Sequence, residues 1–436
     1  MNKPLRIGIA GLGTVGAGVA KILAERADYL TAASGRPWQL VAVSALDASK
    51  DRGIDLTGVR WEKDALALST AADIDVVVEL IGGSEGIARE IVEAALSNGK
   101  HVVTANKALI ARHGVALARI AEKQNVSLNY EAAVAGGIPI VKTLREGLIA
   151  NDISSVAGIL NGTCNYILTE MEKTGRDFGD VLKDAQALGY AEADPTFDVG
   201  GIDAAHKLAI LASLAFGQEV SFDDVEVEGI ERIMAADIKF ARDFGYKIKL
   251  LGIATKGDGG IDQRVHPTLV PLNSPLAAVS GVFNAVAIEG DRVGQLVLEG
   301  RGAGEGPTAS AVLSDMVDVA RGLVMAPFII PASQLRGPAR ANTERRRSPY
   351  YLRFNAADRA GSMAEITRAL ADASISIERI VQHSAGSDMG KGRLPVVFLT
   401  HETDEGSMRN ALNHLSKLED VAGTPLVIRI EDNSSR

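Results

Sequence analysis

The sequence predicts an α/β protein: a doubly wound parallel sheet at the N-terminus, an α+β domain after it, and a compact C-terminal module. Three observations carry this expectation. Apolar strand-like runs alternate with helical patterns through about the first 130 residues. Three glycines follow the first of those runs at once, and the composition changes across a polar, Pro-bearing segment around residues 336–348. With 436 residues, 46% of them hydrophobic, the chain exceeds one ordinary domain and can fill two or three cores.

Residues 5–18, LRIGIAGLGTVGAG, read as a buried parallel strand followed by Gly11, Gly13 and Gly16 in GxGxxG spacing, with Thr14 and Val15 inside the turn; the helical pattern VAKILAER comes next. Gly11 allows the tight turn, Gly13 lets backbone approach a pyrophosphate, and Gly16 lets helix pack on strand. The helix N-terminus adds positive potential, which favours a nicotinamide or flavin dinucleotide over a bare strand-to-helix turn. An acidic residue at the end of the second strand, QLVAVSA, would hold the adenosine ribose, and Asp47 is the candidate. Asp47 suits the free ribose hydroxyls of NAD, while Lys50 and Arg52 suit the extra phosphate of NADP, so both cofactors stay open. The runs DVVVELIGG (75–83) and HVVTAN (101–106), separated by the helical IAREIVEAALSN, continue the sheet. Ligands lie beyond the carboxyl ends of such strands, which puts Asn106 and Lys107 at the nicotinamide end of the crevice.

Positions 188–207, LGYAEADPTFDVGGIDAAHK, gather Glu192, Asp194, Asp198, Asp203 and Lys207 ahead of an apolar helix. Asp203 and Lys207 stand four apart and share one helix face, where they form either a solvated salt bridge or a joint ligand-facing pair. His206 points off that face. The loop acids upstream are free to converge on a small cation.

The net charge of -9, with no basic run longer than Arg345–Arg347, argues against nucleic acid or an anionic membrane as partner. No apolar run approaches the ~20 residues of a membrane span, and the N-terminus enters a strand without a signal-peptide pattern; a cytoplasmic enzyme is expected. Cys164 is the single cysteine, so an internal disulfide and a Cys-based zinc site are ruled out. It reads as a small buried residue rather than a nucleophile.

Taken together, GLGTVGAGV, ELIGG, GKHVVTANKALIA, YEAAVAGGIPI, LNGTCNYIL, GYAEADPTFDVGGIDAAHKL and GRGAGEGPTASAV resemble the homoserine dehydrogenases, motif for motif and in order, from about residue 5 to 325. The resemblance implies a Rossmann domain over 1–130 completed by about 305–335, and a substrate-binding and dimerisation domain over 131–304 that makes a homodimer or homotetramer. It implies interconversion of L-homoserine and L-aspartate 4-semialdehyde with NAD(P)(H), on the route to threonine, isoleucine and methionine. By similarity Lys207 is the proton donor and acceptor, Asp203 orients it or binds the substrate hydroxyl, and Lys107 touches substrate and nicotinamide. Glu192 and Asp198 hold the substrate ammonium, and Gly302 joins the cofactor site. A monovalent cation such as sodium is implied at Glu131, Val134, Gly136 and Ile138; without the resemblance, that stretch reads as a strand end and a helix start. The chain departs from many relatives at Leu46, where an Arg is frequent, and at Cys164, where Thr or Ser is frequent.

After the linker, 349–436 follow the order strand, helix, strand, strand, helix, strand and resemble an ACT domain, a ferredoxin-like regulatory fold. Its turn DRAGSM, with Asp358 and Gly361, lacks the Pro that often precedes the glycine. The resemblance implies an amino-acid effector, for which L-threonine is the expectation, or a module that serves oligomerisation alone. Two rival functions remain: another ACT-tailed hydroxy-amino-acid dehydrogenase, which would bring an Arg clamp or a His base, and a non-catalytic NAD-linked sensor, which the pair Lys107 and Lys207 argues against.

Overall fold

The computed structural model describes residues 3–382 and 393–431. The first sheet consists of β1 (Leu5–Ala10), β2 (Trp38–Ser44), β3 (Arg60–Trp61), β4 (Val76–Glu79), β5 (His101–Thr104) and β6 (Leu128–Asn129). All run parallel in the order β3-β2-β1-β4-β5-β6. The order reverses between β1 and β4, which opens a crevice at their carboxyl ends beside the glycine turn. β4 is buried along its whole length, as expected of a parallel strand covered on both faces.

A later helix, Glu305–Ala320, returns to this sheet and packs on Thr14–Glu25; Val19 and Leu23 share a core with Ala309, Val312 and Met316. A Cβ on Gly18 would stand 2.6 Å from Glu305 Cγ and 3.4 Å from Ala309 Cβ, so the two helices meet closely and a side chain there would have to displace Glu305. Beyond it, the Tyr130 hydroxyl donates to the Pro327 carbonyl at 2.7 Å, tying the following segment to the same unit.

The second sheet continues with β7 (Ile153–Ile159), β8 (Glu226–Val227), β9 (Tyr246–Gly257), β10 (Gly260–Pro271), β11 (Phe283–Gly290) and β12 (Gly294–Arg301). The C-terminal module adds β14 (Tyr350–Ala357), β15 (Ile377–Gln382), β16 (Arg393–Thr400) and β18 (Val421–Ile430) to this sheet, while its β13 (Arg347–Ser348) and β17 (Thr403–Asp404) pair with each other alone. Helices Ser362–Asp372 and Glu405–Leu415 give the module its strand-helix-strand-strand-helix-strand order.

The sequence suggests a module hung on a linker, but the structure fuses it to the domain before it. β18 pairs in parallel with β10 (Thr268 with Arg429, Leu269 with Ile430), giving one sheet in the order β12-β11-β7-β9-β10-β18-β14-β16-β15. The physical reason lies in β14, whose residues alternate between two cores. Tyr350, Leu352 and Phe354 face the module's own helices, while Tyr351 joins Val397, Leu426 and Ile428 in the large core of the preceding domain. Asp237, at the start of helix Ala235–Asp243, accepts from the Tyr351 hydroxyl at 2.7 Å and from Arg353 Nε at 2.6 Å. Among the described residues no helix is long and apolar enough to cross a membrane.

Candidate active site

Helix Ile202–Phe216 runs across the second sheet against β7, β9 and β10 and is buried almost throughout, which explains its apolar composition. Gly201, at φ 86°, turns the chain into it. Asp203 and Lys207 are the polar residues of its first two turns on the cleft side. Lys207 Nζ donates to Asp203 Oδ2 at 2.7 Å and to the Leu160 carbonyl at 2.8 Å. Across the cleft, Lys107 opens helix Lys107–Gln124 just past β5, held there by Asn106, whose side chain caps the Leu109 N–H at 3.0 Å. Lys107 Nζ lies 3.2 Å from Asp203 Oδ1 and over the Phe197 ring.

Leu160 and Asn161 follow β7 directly. Asn161 is the N-cap of helix Gly162–Thr174, its Oδ1 accepting from the Cys164 N–H at 2.8 Å. Its Nδ2 donates to Asp203 Oδ2 and to Asp198 Oδ1, both at 2.8 Å. Burial alone would raise the Asp203 carboxyl, but the ammoniums of Lys207 and Lys107 and the bonds from Lys207 and Asn161 outweigh it and hold that group well below its usual range. Asp198 is shifted the other way: burial dominates, and the Asp203 charge adds to it against the Asn161 bond. Two carboxyl groups shifted in opposite directions therefore stand side by side.

These residues line a cleft of ≈ 590 Å³ that also includes Val15 from the glycine turn, Ala105 after β5, and Gly302 and Gly304 before helix Glu305–Ala320. Both sheets thus end at one cavity. The neighbouring crevice, ≈ 970 Å³, is lined by Gly11, Gly13, Leu46, Asp47, Lys50, Arg52 and Trp61. Gly11 has φ 98°, and a Cβ there would strike the Leu80 carbonyl; one on Gly16 would lie 2.0 Å from the Gly11 carbonyl; one on Gly13 would meet nothing within 4 Å. The first and third glycines are required by packing and the second leaves room for a ligand, so the turn fits a dinucleotide pyrophosphate.

At the ribose end, Leu46 is fully exposed and Asp47 turns back on Ser49, accepting from its N–H at 2.8 Å and its hydroxyl at 2.6 Å. Arg52 is held in place on the crevice wall. Its guanidinium donates to the Leu12, Lys50 and Asp47 carbonyls and lies over Trp61.

Of the other expected residues, Glu192 is exposed on its loop outside the cleft lining, with its carbonyl accepting from Gln186. Glu131 is buried, its carboxylate accepting from the Val141 and Lys142 N–H groups at 2.8 Å each. The loop after it, with Val134 and Ile138 buried, turns through Ala135 and Gly136 at φ 55° and 50°; a Cβ on Gly136 would strike the Gly302 carbonyl. His206 faces away, stacked on Phe222 with ring centroids 4.2 Å apart, and burial together with the Lys107 and Arg112 charges lowers it to about 4. Cys164 is fully buried, and burial with the Asp198 and Asp203 charges raises its thiol, so it is not a nucleophile. Sequence reasoning missed Asn161 as a site residue, although a helix cap signal (Asn before a helical run) was present.

The homoserine dehydrogenase family matches residues 139–317, the homoserine dehydrogenase NAD binding domain matches 11–131, and the ACT domain matches 350–420. Homoserine dehydrogenase of Neisseria gonorrhoeae is 46% identical over 98% of this chain and 99% of its own length, and that of Pseudomonas aeruginosa is 45% identical over the same shares. The crystal structure of a homoserine dehydrogenase from Thiobacillus denitrificans superposes with a TM-score of 0.91 at 46% identity, covering 99% of both chains. A dinucleotide crevice, a cleft that couples one carboxylate to two lysines, and full-length likeness to these proteins converge on one assignment: the chain belongs to the homoserine dehydrogenase family.

Proposed function

We propose that the cleft interconverts L-homoserine and L-aspartate 4-semialdehyde with NAD(P)(H), on the route to threonine, isoleucine and methionine. The observation that carries this reading is the Lys207 ammonium, fixed by Asp203 and Leu160 with a third N–H left for the cleft. The nicotinamide, when bound, supplies the hydride acceptor or donor. In the reducing direction the Lys207 ammonium gives its third N–H proton to the developing alkoxide and is left as the neutral amine; in the oxidising direction Lys207 acts from that neutral form, having released a proton to solvent, and takes the hydroxyl proton as the hydride leaves the alcohol carbon. Asp203 sets the direction of that ammonium, and Lys107 holds the substrate against the nicotinamide. Asp198 takes the substrate ammonium, and Glu192 joins it when its loop folds over the cleft.

Both cofactors are used with no strong preference, because Leu46 offers nothing to a phosphate and Asp47 would repel one, while three of the five Arg52 N–H groups go to carbonyls. Gly11, Gly13, Thr14, Val15, Gly16, Asp47 and Gly302 form the cofactor site. Glu131 with the carbonyls of Val134, Gly136 and Ile138 is a donor set suited to a hard monovalent ion such as sodium. Edge strand β12 and the exposed Phe283 and Val293 beside it support a homodimer or homotetramer built on this sheet. The ACT domain binds L-threonine around Asp358 and Ser362, where helix Ser362–Asp372 begins. A cytoplasmic setting follows from dependence on the NAD(P)H pool. Following the absorbance of reduced nicotinamide with a panel of hydroxy amino acids, with NAD and NADP in parallel, tests substrate and cofactor together. Homoserine turnover with either nucleotide is expected, and hundredfold selectivity for NADP would overturn the cofactor reading.

A further inference from the structure

Asn161 does three things at once. Its Oδ1 caps helix Gly162–Thr174 at the Cys164 N–H, and the two hydrogens of Nδ2 go one each to Asp198 Oδ1 and Asp203 Oδ2. The cap fixes which end of the amide is which: both carboxylates need a donor and the Cys164 N–H needs an acceptor, so one orientation alone satisfies all three. Asn161 is 5% exposed and sits where β7 passes into the helix, so the donor pair is aimed by rigid backbone on both sides. Leu160, its neighbour, supplies the carbonyl that holds Lys207. No other side chain of this length can cap and bridge together: Ser and Asp cap equally well, but Ser has one donor and ionised Asp has none.

We propose that Asn161 is a positioning residue, bridging the Asp203 that aims Lys207 to the Asp198 that receives the substrate ammonium, so that the hydroxyl and the amino group of one substrate are placed by a single amide. The proposal rests on the roles given above to Lys207, Asp203 and Asp198. Without the bridge, two adjacent carboxylates share no donor, repel one another and drift apart or protonate. The titratable groups around the pair are Lys107 from helix Lys107–Gln124, Lys207 from helix Ile202–Phe216, Cys164 from helix Gly162–Thr174, and Glu231 from the turn behind Gly200, with His206 turned away from it onto Phe222.

The test separates bridging from capping. Asn161→Ser keeps a good cap, so its melting temperature and NAD(P)H binding, followed by nicotinamide fluorescence, stay near wild type, whereas Asn161→Asp keeps the cap and buries a further negative charge. Activity is normalised to the folded, cofactor-binding fraction. Asn161→Ser is expected to lower kcat/KM for homoserine by about tenfold to a hundredfold and to move the acidic limb of its pH profile upward, since losing a hydrogen bond to a carboxylate raises its pKa. Asn161→Asp, adding a third carboxylate, falls further. Wild-type kcat/KM and an unmoved acidic limb in Asn161→Ser would make the residue a cap alone and overturn the proposal. Full activity in Lys207→Ala would instead remove the catalytic reading beneath it, so the two failures are distinguishable.

Discussion

At the cleft, Asp203 receives Lys207, Lys107 and Asn161; at the junction with the ACT domain, Asp237 receives Tyr351, Arg353 and the Met234 N–H. Both carboxylates are buried and both are fully bonded. The difference lies in their partners. Arg353 turns a further N–H to the Arg232 carbonyl, and the pair is packed between the two domains with Arg353 7% exposed. Lys207 and Lys107 instead line an open cavity with N–H groups to spare. A buried ion pair therefore marks chemistry only where one partner keeps unsatisfied capacity facing a ligand; where every donor is closed, it fixes how two elements dock.

Breaking the closed pair tests that distinction most severely. Arg353→Met leaves Asp237 buried without its cation and is expected to cost about 3–5 kcal/mol of stability while homoserine turnover per folded molecule is kept. Chemical denaturation with activity measured on the folded fraction reads both quantities, and lost turnover at unchanged stability would erase the contrast. Deletion of the whole module is a poorer probe, because Tyr351, Leu426 and Ile428 would leave a bare apolar face.

A third buried cation sharpens the comparison. Lys249 is held by neutral acceptors: Nζ donates to Asn165 Oδ1 at 3.0 Å and to the Val279 carbonyl at 2.5 Å, and burial with the nearby Lys247 charge, outweighing Glu172, lowers it to about 8. Its folded pKa lies below its unfolded one, so between about pH 8 and 10.5 the unfolded chain holds the extra proton and stability rises with pH. Lys249→Met is expected to flatten that rise by about 1–2 kcal/mol between pH 8 and 9.5, measured by denaturant midpoints. An unchanged slope would mean that Lys249 does not titrate in this range.

The smallest effect concerns Glu192. With the proposed contact to the substrate ammonium as its only part in the reaction, Glu192→Gln should raise the KM for homoserine by about tenfold or less and leave kcat in place. An effect confined to kcat would move Glu192 out of substrate binding.

What was legible in the sequence was local. Glycine spacing after a strand, and Asp203 four residues before Lys207, each specify geometry within a turn or two, and both hold in the structure. What was not legible depends on residues far apart in sequence. Asn161 meets Asp203 across 42 positions, and the parallel pairing of Leu269 with Ile430 follows from both faces of β14 being apolar enough to bury. Arg52 illustrates a different limit: its charge was visible, but its fold back onto three carbonyls comes from the conformation of its loop. Glu192 is of the right type in the right segment, yet its distance from the cleft is set by a loop whose packing the sequence does not encode locally.

Lys207→Ala tests the central claim most directly, with kcat and kcat/KM for homoserine followed alongside NAD(P)H affinity and melting temperature. A fall in turnover by a factor on the order of 10² or more, with cofactor affinity near wild type, is the expected result, because only proton transfer is lost. Turnover near wild type would contradict the account, placing Lys207 with Arg353 among the charges that hold the fold together.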